Sequence, residues 1–222
     1  MPSANFELRY YFDPLCGWCY ASAPSIAGLA ERFPDQFSLM PSGLFMHARP
    51  VADMADHAWR NDRRIAELTG QRFTVDYHRK VLLAPQGVFD STPLTFALVA
   101  LGEVDRRIEL RFLHAAQIAR YVDGRDTSRI EVAADVAAAV AADAGIELDR
   151  VAFARQLGDV ELVKRVAKRV AAAQADLGGF PSRGVPQLLL VAREHRRRLD
   201  GHDLYAGRDV LFERIDQLLL TA

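Results

Sequence analysis

The chain holds two cysteines in 222 residues, and they sit three positions apart, as Cys16-Gly17-Trp18-Cys19. A secreted disulfide framework spreads its cysteines along the chain. Two cysteines this close constrain an unfolded chain very little, so their pairing points to chemistry rather than to stapling. Their position narrows the fold as well. Phe6 to Phe12 (FELRYYF) is aromatic-rich and predicts a strand, which Asp13-Pro14 breaks. Cys16 to about Arg32 then predicts a helix, with Ile26, Leu29, Ala30 and Phe33 on one face. Pro24 inside that stretch predicts a kink or a restart. Phe37 to Leu44 predicts a second strand, made irregular by Pro41, and the three pieces together read as a βαβ unit.

From about Val51 to Leu177 the helical period takes over, with segments near 51–69, 75–84, 92–102, 106–121, 128–144, 149–157 and 160–177. After Gly178-Gly-Phe-Pro the pattern returns to strands. Gln187 to Val191 (QLLLV) is a short apolar strand, Arg196 to Leu199 its hairpin partner, and Gly207 to Leu220 a closing helix. A β-α-β start and a β-β-α end therefore flank a block of helices. The expected division is a discontinuous sheet domain over 1–50 and 178–222, with an inserted helical domain over 51–177.

A sulfur at the start of a helix faces unpaired backbone N–H groups and a partial positive charge, which favour a thiolate. Cys16 is thereby the expected nucleophile and Cys19, nearly one turn later, the thiol that resolves a mixed disulfide. Zinc fits poorly, because a structural site needs four ligands and the six histidines are scattered, with no H-x₃₋₅-H pair. Two inert core thiols are the bland alternative. A second signal is Gly184-Val185-Pro186, just ahead of Gln187-Leu-Leu-Leu. The proline is either an ordinary edge residue or a cis bond that turns the Val185 backbone outward toward an extended substrate.

The run Phe12-Asp-Pro-Leu-Cys-Gly-Trp-Cys-Tyr20, the helical insert and the late Gly184-Val-Pro-Gln resemble the DsbA-like branch of the thioredoxin superfamily. The resemblance covers essentially the whole chain in order of elements and is sharp at the two motifs. It implies an α/β thioredoxin-like fold with a large inserted α-helical domain partly covering the active site. It implies Cys16 as nucleophile, Cys19 as resolving thiol and Pro186 as the cis-proline facing them. Trp18, between the sulfurs, either shapes a substrate groove together with Gly17 and Val185 or simply shields the disulfide. The chain departs from the periplasmic oxidases in lacking an export signal and in carrying Gly17-Trp18 in place of Pro-His. Without an imidazole between the cysteines, a less oxidising pair is expected, one that rests as dithiol in a reducing compartment.

The expected reaction is dithiol–disulfide exchange with a protein or peptide, with electrons from a cellular thiol reductant and no metal or nucleotide. One alternative on the same fold is a glutathione-dependent transferase or isomerase acting on a small molecule, with glutathione as cosubstrate; related enzymes often carry Ser at the nucleophile position. The other is a redox-sensing or peptide-binding module without catalysis.

The remaining features weigh less. With 28 basic and 29 acidic residues, the chain lacks the charge for bulk capture of nucleic acid or anionic membrane. Glu7 and Arg9 interrupt the first apolar run and Asp135 and Asp143 the Ala-rich one, so neither a secretory signal nor a membrane span is expected, and a cytoplasmic protein is the default. A mature chain with its signal removed would look the same. Glu7 is a candidate acceptor for the Cys19 proton if buried, although a solvated strand face is the commoner case. Arg193, Arg196, Arg197 and Arg198, interleaved with acids, read as a solvated hairpin. Phe45-Met46-His47 and Met54 are either a groove extension or core. The Ala-rich stretches 132–144 and 166–175 pack on neighbours or form a homodimer face, and both options stay open.

Overall fold

The computed structural model describes residues 6–182 and 184–221. Its main sheet has four strands in the order β2-β1-β5-β6: β1 (Phe6–Phe12), β2 (Phe37–Pro41), β5 (Gln187–Ala192) and β6 (His195–Leu199). β2 runs parallel to β1, β5 antiparallel to β1, and β6 antiparallel to β5. A second, two-stranded ribbon pairs β3 (Arg49–Pro50) with β4 (Val88–Phe89). This is the α/β thioredoxin-like architecture with a helical insertion.

β1 lies inside the sheet and is covered on both faces, which is why its sequence is so apolar. Leu8, Tyr10 and Phe12 join the large core, while Tyr11 packs with Ala173, Leu177 and Leu189 on the other side. β6 is an edge strand, and its Arg196, Arg197 and Arg198 are exposed. Charged side chains there discourage edge-to-edge pairing. Arg196 reaches Asp176 at 2.9 Å and Arg198 reaches Gln187 at 3.3 Å, as befits a solvated hairpin.

The predicted helix over 16–32 is two helices, α1 (Gly17–Ala21) and α2 (Ala23–Arg32), with Pro24 in the first turn of the second. A proline there costs no hydrogen bond, because first-turn N–H groups lack intrahelical partners. The insert comprises α3 (Ala55–Thr69), α4 (Val75–Tyr77, running on as a π-turn over His78–Leu82), α5 (Thr92–Val104), α6 (Arg106–Tyr121), α7 (Ile130–Asp143), α8 (Arg150–Gln156) and α9 (Val160–Gly178). The predicted start of α3 at residue 51 comes too early. Arg49–Pro50 is a strand, and Val51–Asp53 a 3₁₀ turn ahead of the helix.

α9 is pinned to the sheet by polar contacts. Tyr11 donates to Asp176 at 2.7 Å, Gln174 to the Ser42 carbonyl at 3.1 Å, and Arg169 to the Leu39 carbonyl at 2.9 Å. The same arginine holds both oxygens of Glu109 on α6 at 2.7 Å. In α7, Ala133, Ala134, Ala137 and Ala141 are buried within the chain itself. The chain closes with α10 (Gly201–Tyr205) and α11 (Arg208–Leu220). The sequence reading missed α10, although its capping box, formed by Asp200 and Asp203, is a local signal.

Candidate active site

Cys16 caps the N-terminus of α1. Its backbone is extended, and its sulfur accepts the Cys19 N–H at 3.3 Å. The Leu15 N–H and the Phe45 N–H both end on the Asp13 carboxylate, at 2.9 and 3.0 Å, and fix the turn between β1 and α1. Cys19, one turn on, is 1 % exposed against 7 % for Cys16. Burial pushes the Cys19 thiol well above its ordinary range, and the neighbouring Cys16 adds to the effect. The pair is thus unequal, with one sulfur at the helix mouth and the other sealed beneath it.

The chain closes over this mouth from its far end. The peptide bond joining Val185 to Pro186 is cis. The Val185 carbonyl lies 3.6 Å from the Cys16 sulfur, within hydrogen-bonding distance of the thiol. All six residues singled out from sequence therefore fall in one place. Gly17 and Trp18 form the first turn of α1, and the Trp18 ring packs at 5.2 Å on Tyr205 of α10. Gly201 of the same helix sits beside Pro186. α10 is in this way a wall common to Trp18 and Pro186, contributed by an element absent from the sequence reading.

Two buried carboxyl groups were also missed. Asp13 is fully buried, and burial raises its pKa to about 6 despite hydrogen bonds from Phe45, Leu15 and Ser91. Its charge is felt at Cys19, where it adds to the upward shift. Asp62 of α3 lies against Gly17 so closely that a β-carbon there would overlap its Oδ1. Burial raises Asp62 to about 7, while Oδ2 accepts the Tyr77 hydroxyl at 2.9 Å. Glu7 is not a buried acid. Its side chain is 57 % exposed and paired with Arg9 at 2.6 Å, so the solvated reading holds. Phe45, Met46 and Met54 pack against the core, with Phe45 edge-on to Phe89 at 5.0 Å. Among the described residues no three His, Cys, Asp or Glu side chains gather to hold a metal ion.

Comparison with solved structures places this geometry. The cytosolic disulfide reductase DsbM from Pseudomonas aeruginosa matches with a TM-score of 0.81 and 29% identity, covering 96% of this chain and 99% of that one. The chain is thus similar over nearly its whole length to DsbA-like thiol oxidoreductases. A structure of the same reductase with GSH matches at a TM-score of 0.78. The fold likeness extends to Pseudomonas aeruginosa DsbA, at a TM-score of 0.53 and 17% identity over 99% of this chain and 84% of that one. It extends also to a 2-hydroxychromene-2-carboxylate isomerase, at a TM-score of 0.60 and 15% identity over 97% and 98%. No family model and no curated protein matches the chain. The reductase match supports thiol–disulfide oxidoreductase activity for this chain. No described helix is long and apolar enough to cross a membrane.

Proposed function

We propose that the chain reduces or exchanges disulfides of a protein or peptide through a mixed disulfide at Cys16, resolved by Cys19. The observation that carries this reading is the Cys16 sulfur at the α1 N-terminus, 3.6 Å from the Val185 carbonyl, above a sealed second thiol. The Cys16 thiolate attacks one substrate sulfur. The substrate S–S bond breaks, and its other sulfur leaves as a thiolate that takes up a proton. Cys19 then loses its proton and attacks the Cys16 sulfur, releasing the second substrate thiolate and leaving a Cys16–Cys19 disulfide. Two electrons from a cellular thiol restore the dithiol.

The burial of Cys19 sets the main demand on the protein, because its thiol must ionise in a dry site. Asp13 is the candidate acceptor for that proton: its pKa of about 6 lets it be ionised at neutral pH and still basic enough to share a proton. Val185 and Pro186 would receive the substrate backbone beside the sulfur, with Gly17 and Trp18 forming the floor of the groove.

The similar cytosolic reductase supports a reducing direction in a reducing compartment, and its structure with GSH supports glutathione as the electron-donating thiol here. The intact second cysteine favours disulfide exchange over glutathione-dependent isomerisation of a small molecule. The test is Cys19→Ser, which removes the resolving thiol. A Cys16-linked adduct with a disulfide-bearing peptide should accumulate and be released by dithiothreitol. A variant that forms no such adduct contradicts the proposal.

A further inference from the structure

Beside Cys19, a cavity of about 370 Å³ runs between α2, β2 and α6. Its volume lies within the range of small-molecule sites. Of the thiol site only Cys19 lines it, with Tyr10 beside it; Cys16, Trp18, Val185 and Pro186 do not. The cavity exists because α2 presents Ala23, Ala27 and Ala30 to α6 where larger side chains would close the gap. Ile26, Phe37, Leu39, Leu110 and Leu113 complete an apolar wall.

The two ends differ in chemistry. α6 lines the cavity from Arg106 to Gln117, which at the rise of an α-helix is about 16 Å. At one end stand Arg106, Arg107 and Arg111, all exposed. Arg107 is paired with Asp105, whereas no ion pair engages Arg106 or Arg111 among the described residues. Glu31 is an acid on that rim, and Glu109 is committed to Arg169. The rim is accordingly cationic. At the inner end Gln117 is 1 % exposed, and neither its amide nitrogen nor its carbonyl oxygen has a partner. A buried amide without partners is costly and unusual. Gln117 is on the cavity lining, so its unpartnered amide leaves a donor and an acceptor for a bound molecule to satisfy.

We infer that this cavity is a binding site for an elongated amphipathic carboxylate. Its anionic head meets Arg106 and Arg111, its apolar body lies along the alanines of α2, and a hydroxyl or similar group at the far end pairs with Gln117. The apolar wall disfavours glutathione, which is polar along its length, so the ligand is distinct from the thiol reductant although it lies against the inner side of Cys19.

Calorimetric titration of the full chain with ω-hydroxylaurate and with laurate, both below their micelle concentrations, tests the assignment. Saturable one-to-one binding is expected, tighter for ω-hydroxylaurate by several-fold. Ala27→Leu should fill the cavity and remove binding while disulfide reduction stays at the wild-type rate, which certifies its fold; Ala30→Leu serves the same purpose should Ala27→Leu not fold. Arg111→Gln should weaken both acids several-fold, and Gln117→Leu should erase the preference for the hydroxylated one. Absence of saturable binding, or a filled cavity that binds as the wild type does, overturns the proposal.

Discussion

The sulfur of Cys16 lies 3.6 Å from the carbonyl oxygen of Val185, although 169 positions of chain separate them. The sheet brings them together. β1 leads directly into Cys16, and the β5 strand beside it begins at Gln187, so Tyr11 and Gln187 are paired in register. The two motifs are the ends of neighbouring strands. In the proposed reaction a substrate strand approaching the thiol would lie beside the Val185 backbone.

The inequality of the two thiols predicts selective alkylation. At pH 8 iodoacetamide should modify Cys16 at least about a hundredfold faster than Cys19, since the thiolate is the reactive species and burial keeps Cys19 protonated. Peptide mapping of the reduced protein after brief labelling checks this. Equal labelling of both residues would show that Cys19 is neither sealed nor shifted.

The buried Asp13 predicts a pH signature. Its pKa of about 6 means that it loses its proton as pH rises through that value. The step that resolves the mixed disulfide should therefore accelerate between about pH 5 and 7 as Asp13 becomes able to accept the Cys19 proton. Asp13→Asn keeps the shape and much of the hydrogen bonding. It should slow resolution by roughly ten- to a hundredfold at neutral pH and remove that inflection. Stopped-flow decay of a preformed mixed disulfide is the readout, and an unchanged inflection would assign the proton to another group.

Asp62 predicts how stability varies with pH. Burial raises its folded-state value to about 7 from a model-peptide value of 3.8. The folded state thus holds the proton more tightly than the unfolded one. The associated stability is fully present below about pH 4 and is lost as pH rises through about 7, amounting to a few kcal/mol. Asp62→Asn should flatten this slope, and denaturant titrations of both proteins between pH 4 and 8 measure it. A wild-type stability curve with the same slope as the variant would exclude the role.

Much of this was legible in the sequence because it depends on neighbours in the chain. The aromatic run of β1, the break at Asp13-Pro14 and the Cys16–Cys19 spacing are local patterns, and local propensity and packing agree there. The pairing of β5 with β6 followed from the same kind of pattern. What escaped depends on distant parts. Asp13 read as a turn residue, since nothing in the sequence shows that Phe45 and Ser91 will close around its carboxylate. Asp62 drew no notice within the helical segment near 51–69, because its burial comes from Gly17 and Tyr77. Glu7 attracted attention for lying in β1, but it sits at the exposed end of the strand, paired with Arg9, short of where Tyr11 is covered. Tyr205 was invisible because the short α10 carrying it was not recognised.

The most direct test of the thiol chemistry is insulin reduction with glutathione as electron donor, comparing wild type with Cys16→Ser. The account predicts turnover by the wild type and a loss of roughly a thousandfold or more in the variant, because the one remaining thiol, Cys19, is buried and held protonated. A Cys16→Ser protein that reduces insulin as fast as the wild type would contradict it.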